Sequence, residues 1–253
     1  FNNTSTTTYT FTPTYGQCAV PVTSTITVDP CGPFTSCNLV VNRIGDGTTV
    51  LSGSATAIAV QEISTAGALV QTISASNFTG SNLLTQNGSS TSIGFLNSYN
   101  DYLAVPGHNS VSGTAMINSL NTKATNIIGT GSTVLGRYLF PTGGALATPA
   151  SPFSANALRS AIATSSSTFY CSGTSTASAS EPNTGGVWYY NGSGFIPLSS
   201  TFNNVRNIEI FNGQLYYSTG SYDVATSTYY QGIYSVGVGL PTTSSQTANP
   251  FII

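Results

Sequence analysis

The chain has 253 residues, of which 5 are Lys or Arg and 7 are Asp or Glu, so only 5% carry charge. Soluble domains average about 25%. The few scattered basic residues argue against nucleic-acid binding, and no apolar run reaches the roughly 18 residues of a membrane span. The formal net charge is -2, so charge repulsion between molecules is weak. We therefore expect the protein either to carry attached sugar or to be permanently assembled with copies of itself.

The amino-terminal 36 residues are rich in Thr, Pro and Ser. Within them, the alternation in Thr8–Thr12 places Tyr9 and Phe11 on one face of a strand. We therefore predict an extended arm or linker over residues 1–36, followed by a β-domain over residues 37–253. A hydrophobic fraction of 40% is ample for a core in that domain.

Beyond residue 37, short runs of β-branched and aromatic residues alternate with Gly, Asn, Ser or Asp, and no helical period is sustained. This pattern predicts an all-β fold. The runs group into units of about 40 residues, which is typical of β-propeller blades. Five blades are recognisable, in a ring that is either incomplete or completed by another segment. Their predicted strands are Leu39–Ile44, Thr56–Ile63 and Ala68–Ile73; Ser92–Leu96 and Tyr102–Pro106; Asn126–Gly129, Val134–Phe140 and Ala145–Thr148; Leu158–Ala163, Thr168–Ser172, Gly186–Tyr190 and Phe195–Leu198; and Asn207–Phe211, Gln214–Ser218 and Gly232–Val236.

Two Asn-Gly pairs predict tight hairpins in the last two units, because both residue types tolerate positive φ. They are Asn191-Gly192 and Asn212-Gly213. In the first unit, Arg43 and Glu62 lie on consecutive predicted strands, where an opposite-charge pair is expected to fix the register.

The apolar end of the chain is the second candidate for assembly, beside the arm. Phe251, Ile252 and Ile253 are expected to form a strand that either continues the ring or pairs with Tyr9–Phe11. That pairing is possible in the same subunit or in a neighbour.

Four cysteines, Cys18, Cys31, Cys37 and Cys171, form an even set. We interpret the start at Phe1, without an initiator Met, as a secreted chain whose signal peptide has been removed. In an oxidising compartment, two disulfides are the expected use of these cysteines, and three pairings remain open.

Five Asn-x-Ser/Thr sequons are candidate glycosylation sites, at Asn2, Asn3, Asn77, Asn87 and Asn191. Two of them, Asn87 and Asn191, precede Gly in predicted turns, where a glycan would project freely. We therefore expect covalent glycans on this chain.

Residues suited to catalysis are scarce. The single histidine, His108, is expected in a turn with no nucleophile motif around it. Asp46 between two glycines indicates a tight turn rather than a calcium loop, and no zinc-ligand spacing is present. Trp188-Tyr189-Tyr190 and Tyr229-Tyr230 are suited to stacking on sugars, but packing in a core is the better interpretation. We predict no catalytic residues, no metal and no cofactor, so the chain is not expected to be an enzyme.

Several segments together resemble a family of mostly uncharacterised secreted β-propeller-like domains of bacterial and algal extracellular proteins. The similarity covers about residues 38–248 and implies a propeller fold, but it carries no established catalytic residues. Its segments are Arg43–Gly47, Leu51, Ala55–Ala57, Glu62, Ala66–Ile73, Asn156–Arg159, Gly213–Ser218 and Val236–Thr243.

The sequence thus predicts an extracellular, secreted or cell-surface structural glycoprotein, a subunit of a filament or surface coat that assembles through strand-like terminal segments. One concrete form of this hypothesis is a component of algal flagellar hairs or of another extracellular fibril. The alternative is a secreted carbohydrate-binding or adhesin propeller that holds its ligand through Tyr and Trp.

Overall fold

The structure is a computed structural model. It describes residues 34–35, 37–74, 84–120, 122–129, 133–143, 150–175, 184–223 and 228–251, together with the backbone of residues 7–11 and 22–26. Only the backbone is described for residues 133–134, 222–223 and 228–229.

The predicted all-β fold is confirmed. Among the described residues, the helical structure is one short 3-10 turn, Ile117–Ser119. The strands are β1 Thr7–Phe11, β2 Val22–Ile26, β3 Leu39–Ile44, β4 Ala55–Ile63, β5 Leu69–Ser74, β6 Thr85–Asn87, β7 Asn97–Tyr99, β8 Tyr102–His108, β9 Lys123–Gly129, β10 Thr133–Leu139, β11 Leu158–Ala163, β12 Phe169–Gly173, β13 Gly186–Tyr190, β14 Phe195–Ser199, β15 Val205–Phe211, β16 Gln214–Asp223, β17 Thr228–Val236 and β18 Ala248–Pro250.

Antiparallel strands form a two-stranded sheet, β1–β2, an eight-stranded sheet, β3–β10, and two four-stranded sheets. We divide the eight-stranded sheet at β6 and number the resulting four units of β3–β18 in chain order as sheets. The first sheet is β3–β5, the second β7–β10, the third β11–β14 and the fourth β15–β18. Strand β6 pairs with both β4 and β8, so the first two sheets are joined edge to edge. The described residues form no closed barrel and no closed ring of sheets.

Three hydrophobic cores lie between successive sheets, so the sheets are stacked face to face. Ile58 and Val60 of the first sheet meet Val105 of the second. The second core joins the second sheet to the third and includes Ala104, Ile127, Leu158, Phe169 and Trp188. The third core joins the third sheet to the fourth and includes Ile162, Tyr170, Val187, Ile208, Leu215 and Tyr217. The two inner sheets are therefore covered on both faces, and every residue of β9, β11 and β12 is buried. Such strands lack the alternation of a half-exposed strand.

A row of buried and half-buried polar side chains links the first strands of the last three sheets. The Asn97 amide on β7 donates to Ser160 Oγ on β11 at 2.6 Å, and Ser160 Oγ donates to Asn207 Oδ1 on β15 at 2.6 Å. A parallel β-bridge between Phe95 and Ser160 lies beside this row. Since the first strands adjoin one another, the stack is held along one edge by hydrogen bonds as well as by its apolar cores.

Both predicted hairpins are present. Asn212 and Gly213 have φ of 48° and 72°, which is the two-residue turn with positive φ at both central positions. The hairpin after β13 has a longer loop over residues 191–194, in which the Asn191 backbone N–H donates to the Gly194 carbonyl at 3.1 Å.

The prediction of five units needs correction, because the predicted second and third units lie in one sheet. Predicted strand Ser92–Leu96 is replaced by β7, and β9 and β10 pair onto β8 as the same meander continues. Strands β3–β18 therefore form four numbered sheets rather than five units. Predicted strand Ala145–Thr148 falls on residues outside the described part.

The amino-terminal strand is also paired differently from the prediction. Within the arm, β1 pairs with β2, so that Tyr9 lies opposite Ser24 and Phe11 opposite Val22. The arm thus contains a β-hairpin rather than a single extended strand.

Candidate assembly surface

The two buried bases, His108 and Lys123, are poorly placed for chemistry. They lie opposite each other at the ends of β8 and β9 and are 2% and 1% exposed. Burial, and then the charge of Lys123, lower the pKa of His108 to about 3. The imidazole is therefore neutral near pH 7, and it lies in a buried strand end rather than in the predicted turn. Burial also lowers the pKa of Lys123 to about 8, and its Nζ donates to the Leu120 carbonyl at 3.2 Å.

Asp46 forms the predicted tight turn. Its Oδ1 accepts the backbone N–H groups of Thr48 and Thr49, each at 2.8 Å, and these hydrogen bonds hold the carboxyl pKa well below its usual range. The flanking Gly45 and Gly47 have φ of 78° and 87°. Across the described ranges, no three His, Cys, Asp or Glu side chains come together as a metal site.

The predicted pairing of Arg43 with Glu62 is wrong. Arg43 lies opposite Ala59, whereas Glu62 lies opposite Val40, so the two side chains point to opposite faces of the first sheet. Glu62 is buried and accepts hydrogen bonds from Asn38 Nδ2 at 2.6 Å and from the Thr35 backbone at 2.7 Å. Arg43 is exposed on the other face, and no ion pair involving it is found within the described residues.

The aromatic residues of the third sheet are core residues. Trp188 is 6% exposed, and its Nε1 donates to the Thr184 carbonyl at 3.0 Å. Tyr190 stacks on Phe169 with ring centroids 5.0 Å apart. The structure thus favours packing over a sugar platform at Trp188, while the side chain of Tyr229 lies outside the described part.

The cysteines are only partly described. Cys171 is a free thiol in the core between the second and third sheets, and burial raises its pKa. It therefore forms no disulfide in the structure. Cys37 lies at the surface, and Cys18 and Cys31 lie outside the described residues. Because two disulfides would require all four cysteines, the free Cys171 thiol contradicts that prediction.

Two of the five sequons can be compared in the structure. Asn191 is exposed, its Oδ1 accepts the backbone N–H of Ser193 at 3.0 Å, and no hydrogen bond engages its Nδ2 within the described chain. Asn87 is half-buried, and its Nδ2 donates to the Gly53 carbonyl at 3.2 Å. Since Nδ2 is the atom that carries an N-linked glycan, Asn191 is the better placed of the two. Asn2, Asn3 and Asn77 lie outside the described residues.

The fourth sheet leaves one of its faces open to solvent, and we call it the tail face. Its residues alternate along each strand with those that pack on the third sheet. Three large apolar side chains on it, Phe211, Ile233 and Phe251, are 63%, 47% and 47% exposed. Glu209 and Tyr216, which lie opposite each other in β15 and β16, complete the face.

Phe251, one of the predicted assembly residues, lies on the tail face. Its backbone N–H donates to the Ile233 carbonyl at 2.8 Å, and its ring meets that of Tyr216 edge-on at 5.2 Å. The segment before it, β18, is the fourth strand of an existing sheet rather than the start of a new one. Ile252 and Ile253 lie outside the described residues, and only the backbone of Tyr9 and Phe11 is described.

Sequence reasoning missed the tail face, although part of its signal is visible in β15. Ile208 and Ile210 alternate with Glu209 and Phe211, and this alternation predicts that Phe211 shares the polar side of the strand. A single exposed aromatic residue is ordinary, but together with Ile233 and Phe251 it forms an apolar patch, and such patches mark interaction surfaces.

The chain matches no protein-family model, no curated protein and no solved structure. The resemblance to secreted β-propeller-like domains therefore stays a prediction. Within the described residues, no helix has the length and apolar character needed to cross a lipid bilayer.

Proposed function

We propose that this chain is a module of an extracellular structural glycoprotein, a self-associating subunit of a filament or surface coat. The observation that carries the proposal is the tail face, where Phe211, Ile233 and Phe251 are each about half exposed or more. In a chain with 5% charged residues, charge repulsion does little to keep such faces apart. Self-association is the interaction that this surface supports best.

We also propose that the four sheets are successive blades of a β-propeller. Three of them are four-stranded meanders, they stack face to face, and their first strands adjoin along one edge. A propeller arranges its blades in this way around a central axis. The outer faces of the first and fourth sheets would then be the places where further blades or further subunits pack.

Glycosylation supplies the solubility that the low charge does not. In a eukaryotic secretory host, Asn191 is expected to carry a glycan on most molecules, with severalfold higher occupancy than Asn87, because Asn191 is exposed and its Nδ2 donates no hydrogen bond within the described chain. Glycopeptide mass spectrometry measures both occupancies in one sample, and Asn191→Gln should remove one glycan from the intact mass. Equal occupancy, or an unmodified Asn191, would contradict this expectation.

Deletion of residues 1–33 tests the role of the arm in assembly. We expect the truncated chain to form assemblies at least tenfold shorter, because the β-hairpin that offers strand edges to a neighbour is gone. The cut spares Phe34, which packs on the first core, and Thr35, which donates to Glu62. Electron microscopy and sedimentation velocity measure the lengths.

The melting temperature of the truncated chain is the control, since it should stay close to that of the full chain. Assemblies of normal length in a folded truncated protein would remove the linking role from the arm.

A further inference from the structure

We infer that the tail face of one copy packs on the outer face of the first sheet of a second copy, so that copies join head to tail. This inference rests on the proposed self-assembly and names its partner surface. We call the receiving surface the head face. It consists of Val41, Arg43, Ala59, Thr72 and Ser74, which alternate with the residues that pack on the second sheet.

The head face contains a cleft. Its volume is about 520 Å³, and it is open to solvent between the sheet and the loop that joins β3 to β4. Arg43, Ala59 and Ser74 line it from the sheet, and Val50 and Leu51 line it from the loop. Val50 is 91% exposed and Leu51 is 44% exposed, so the cleft presents apolar surface that the described chain itself does not cover.

The two faces are complementary in shape. The tail face projects large side chains, and the ring of Phe211 is 63% exposed. At the centre of the head face, between Arg43 and Val50, lie small residues such as Ala57 and Ala59. Their short side chains leave room for the cleft. An aromatic side chain entering an apolar cleft is a common anchor of protein interfaces.

The two faces are also complementary in charge. Arg43 is an exposed cation with no ion pair in the described part of the chain. Glu209 on the tail face accepts only the adjacent Ile210 backbone N–H, at 3.2 Å, and its partial burial raises its carboxyl pKa. The other charged group at the cleft, Asp46, is kept ionised by hydrogen bonds from Thr48 and Thr49, so the cleft carries an anion beside the Arg43 cation. A cation and an anion without ion-pair partners in the described residues thus mark opposite ends of the stack.

A second copy is the occupant that these features favour. Sheet-on-sheet packing joins every pair of neighbouring sheets in the stack, and among the described residues of β3–β18 the two end faces of the stack have no partner sheet. Because the head and tail faces differ, their contact is heterologous and either repeats into a filament or closes into a ring. Docking of an isologous dimer through two tail faces would bring two Glu209 carboxylates together, which is unfavourable.

Charge reversal tests the inference directly. We expect Arg43→Glu and Glu209→Arg each to weaken assembly at least tenfold, because each places like charges across the interface. An equimolar mixture of the two variants is expected to assemble as the wild type does. In that mixture, the altered head of one variant meets the altered tail of the other, and the unaltered faces meet as in the wild type, so opposite charges face each other at every contact. Sedimentation velocity of the full chain measures all four samples.

Asp101→Arg is the matched control, since this exposed turn residue lies between β7 and β8, away from both faces. Its assembly should equal that of the wild type. Wild-type assemblies that persist in both single variants, or a mixture that fails to recover assembly, would overturn the head-to-tail contact while leaving self-association intact. A wild-type chain that stays monomeric would overturn the proposed function along with it.

Discussion

Phe169→Ala is expected to lower the free energy of unfolding by about 3–5 kcal/mol, the range for aromatic side chains removed from a packed core. Phe169 is completely buried between the second and third sheets. Its ring lies 5.7 Å from that of Tyr138, 5.0 Å from Tyr190 and 6.0 Å from Phe195. These rings come from three different strands, so the cavity left by the substitution has walls that cannot all collapse inward.

Thermal unfolding followed by circular dichroism measures this effect. A shift of about 2–4 °C per kcal/mol is typical of a chain of this size, so the melting temperature should fall by about 10 °C. The matched control is Phe211→Ala, because Phe211 is 63% exposed and lies on the tail face. It should change stability by less than about 0.5 kcal/mol while weakening assembly. Equal destabilisation by the two substitutions would contradict the assignment of core and surface.

Strands bounded by local turn signals could be predicted closely from the sequence. The predicted Leu158–Ala163 and Gly186–Tyr190 coincide with β11 and β13, because apolar runs between Gly, Asn and Ser leave little choice of boundary. The assignment of strands to sheets could not be predicted as well. The spacing of about 40 residues places β8 and β9 in different predicted units, although they are consecutive strands that pair with each other.

Strand β6 shows the same limit in a polar sequence. Thr85, Gln86 and Asn87 have no apolar pattern, yet Gln86 is 1% exposed. Its Nε2 donates to the Pro106 carbonyl at 2.6 Å, and its Oε1 accepts from Asn42 Nδ2 at 3.1 Å. A buried polar strand is stable only when its partners are in place, and those partners belong to other segments.

The candidate assembly surface was predictable in part. Phe251 was among the predicted assembly residues because of its apolar context, and it does lie on an exposed face. Glu209 and Arg43 gave no such signal, since a lone charge on a strand is ordinary. Their role in the proposed contact follows from the stacking of the sheets, which places the two residues on the two outer faces.

Ser160→Ala is expected to lower the free energy of unfolding by about 3 kcal/mol, although it removes a single oxygen atom. The Ser160 hydroxyl accepts from Asn97 Nδ2 and donates to Asn207 Oδ1, each at 2.6 Å, and it also accepts the Ile208 backbone N–H at 3.3 Å. Without it, Asn97 Nδ2 keeps the Ala161 carbonyl at 3.0 Å, but the buried Ile208 N–H and the half-buried Asn207 Oδ1 lose a partner. Each unsatisfied buried group costs about 1–3 kcal/mol.

Urea unfolding of Ser160→Ala measures this loss, and Ser98→Ala is the control because Ser98 is exposed beside Asn97. The double variant Asn97→Ala with Ser160→Ala should lose less than the sum of the two single variants, since the two side chains share one hydrogen bond. Strict additivity would mean that the row does not act as a unit. Less than additive loss would show that the first strands of the second and third sheets are energetically coupled through this hydrogen bond.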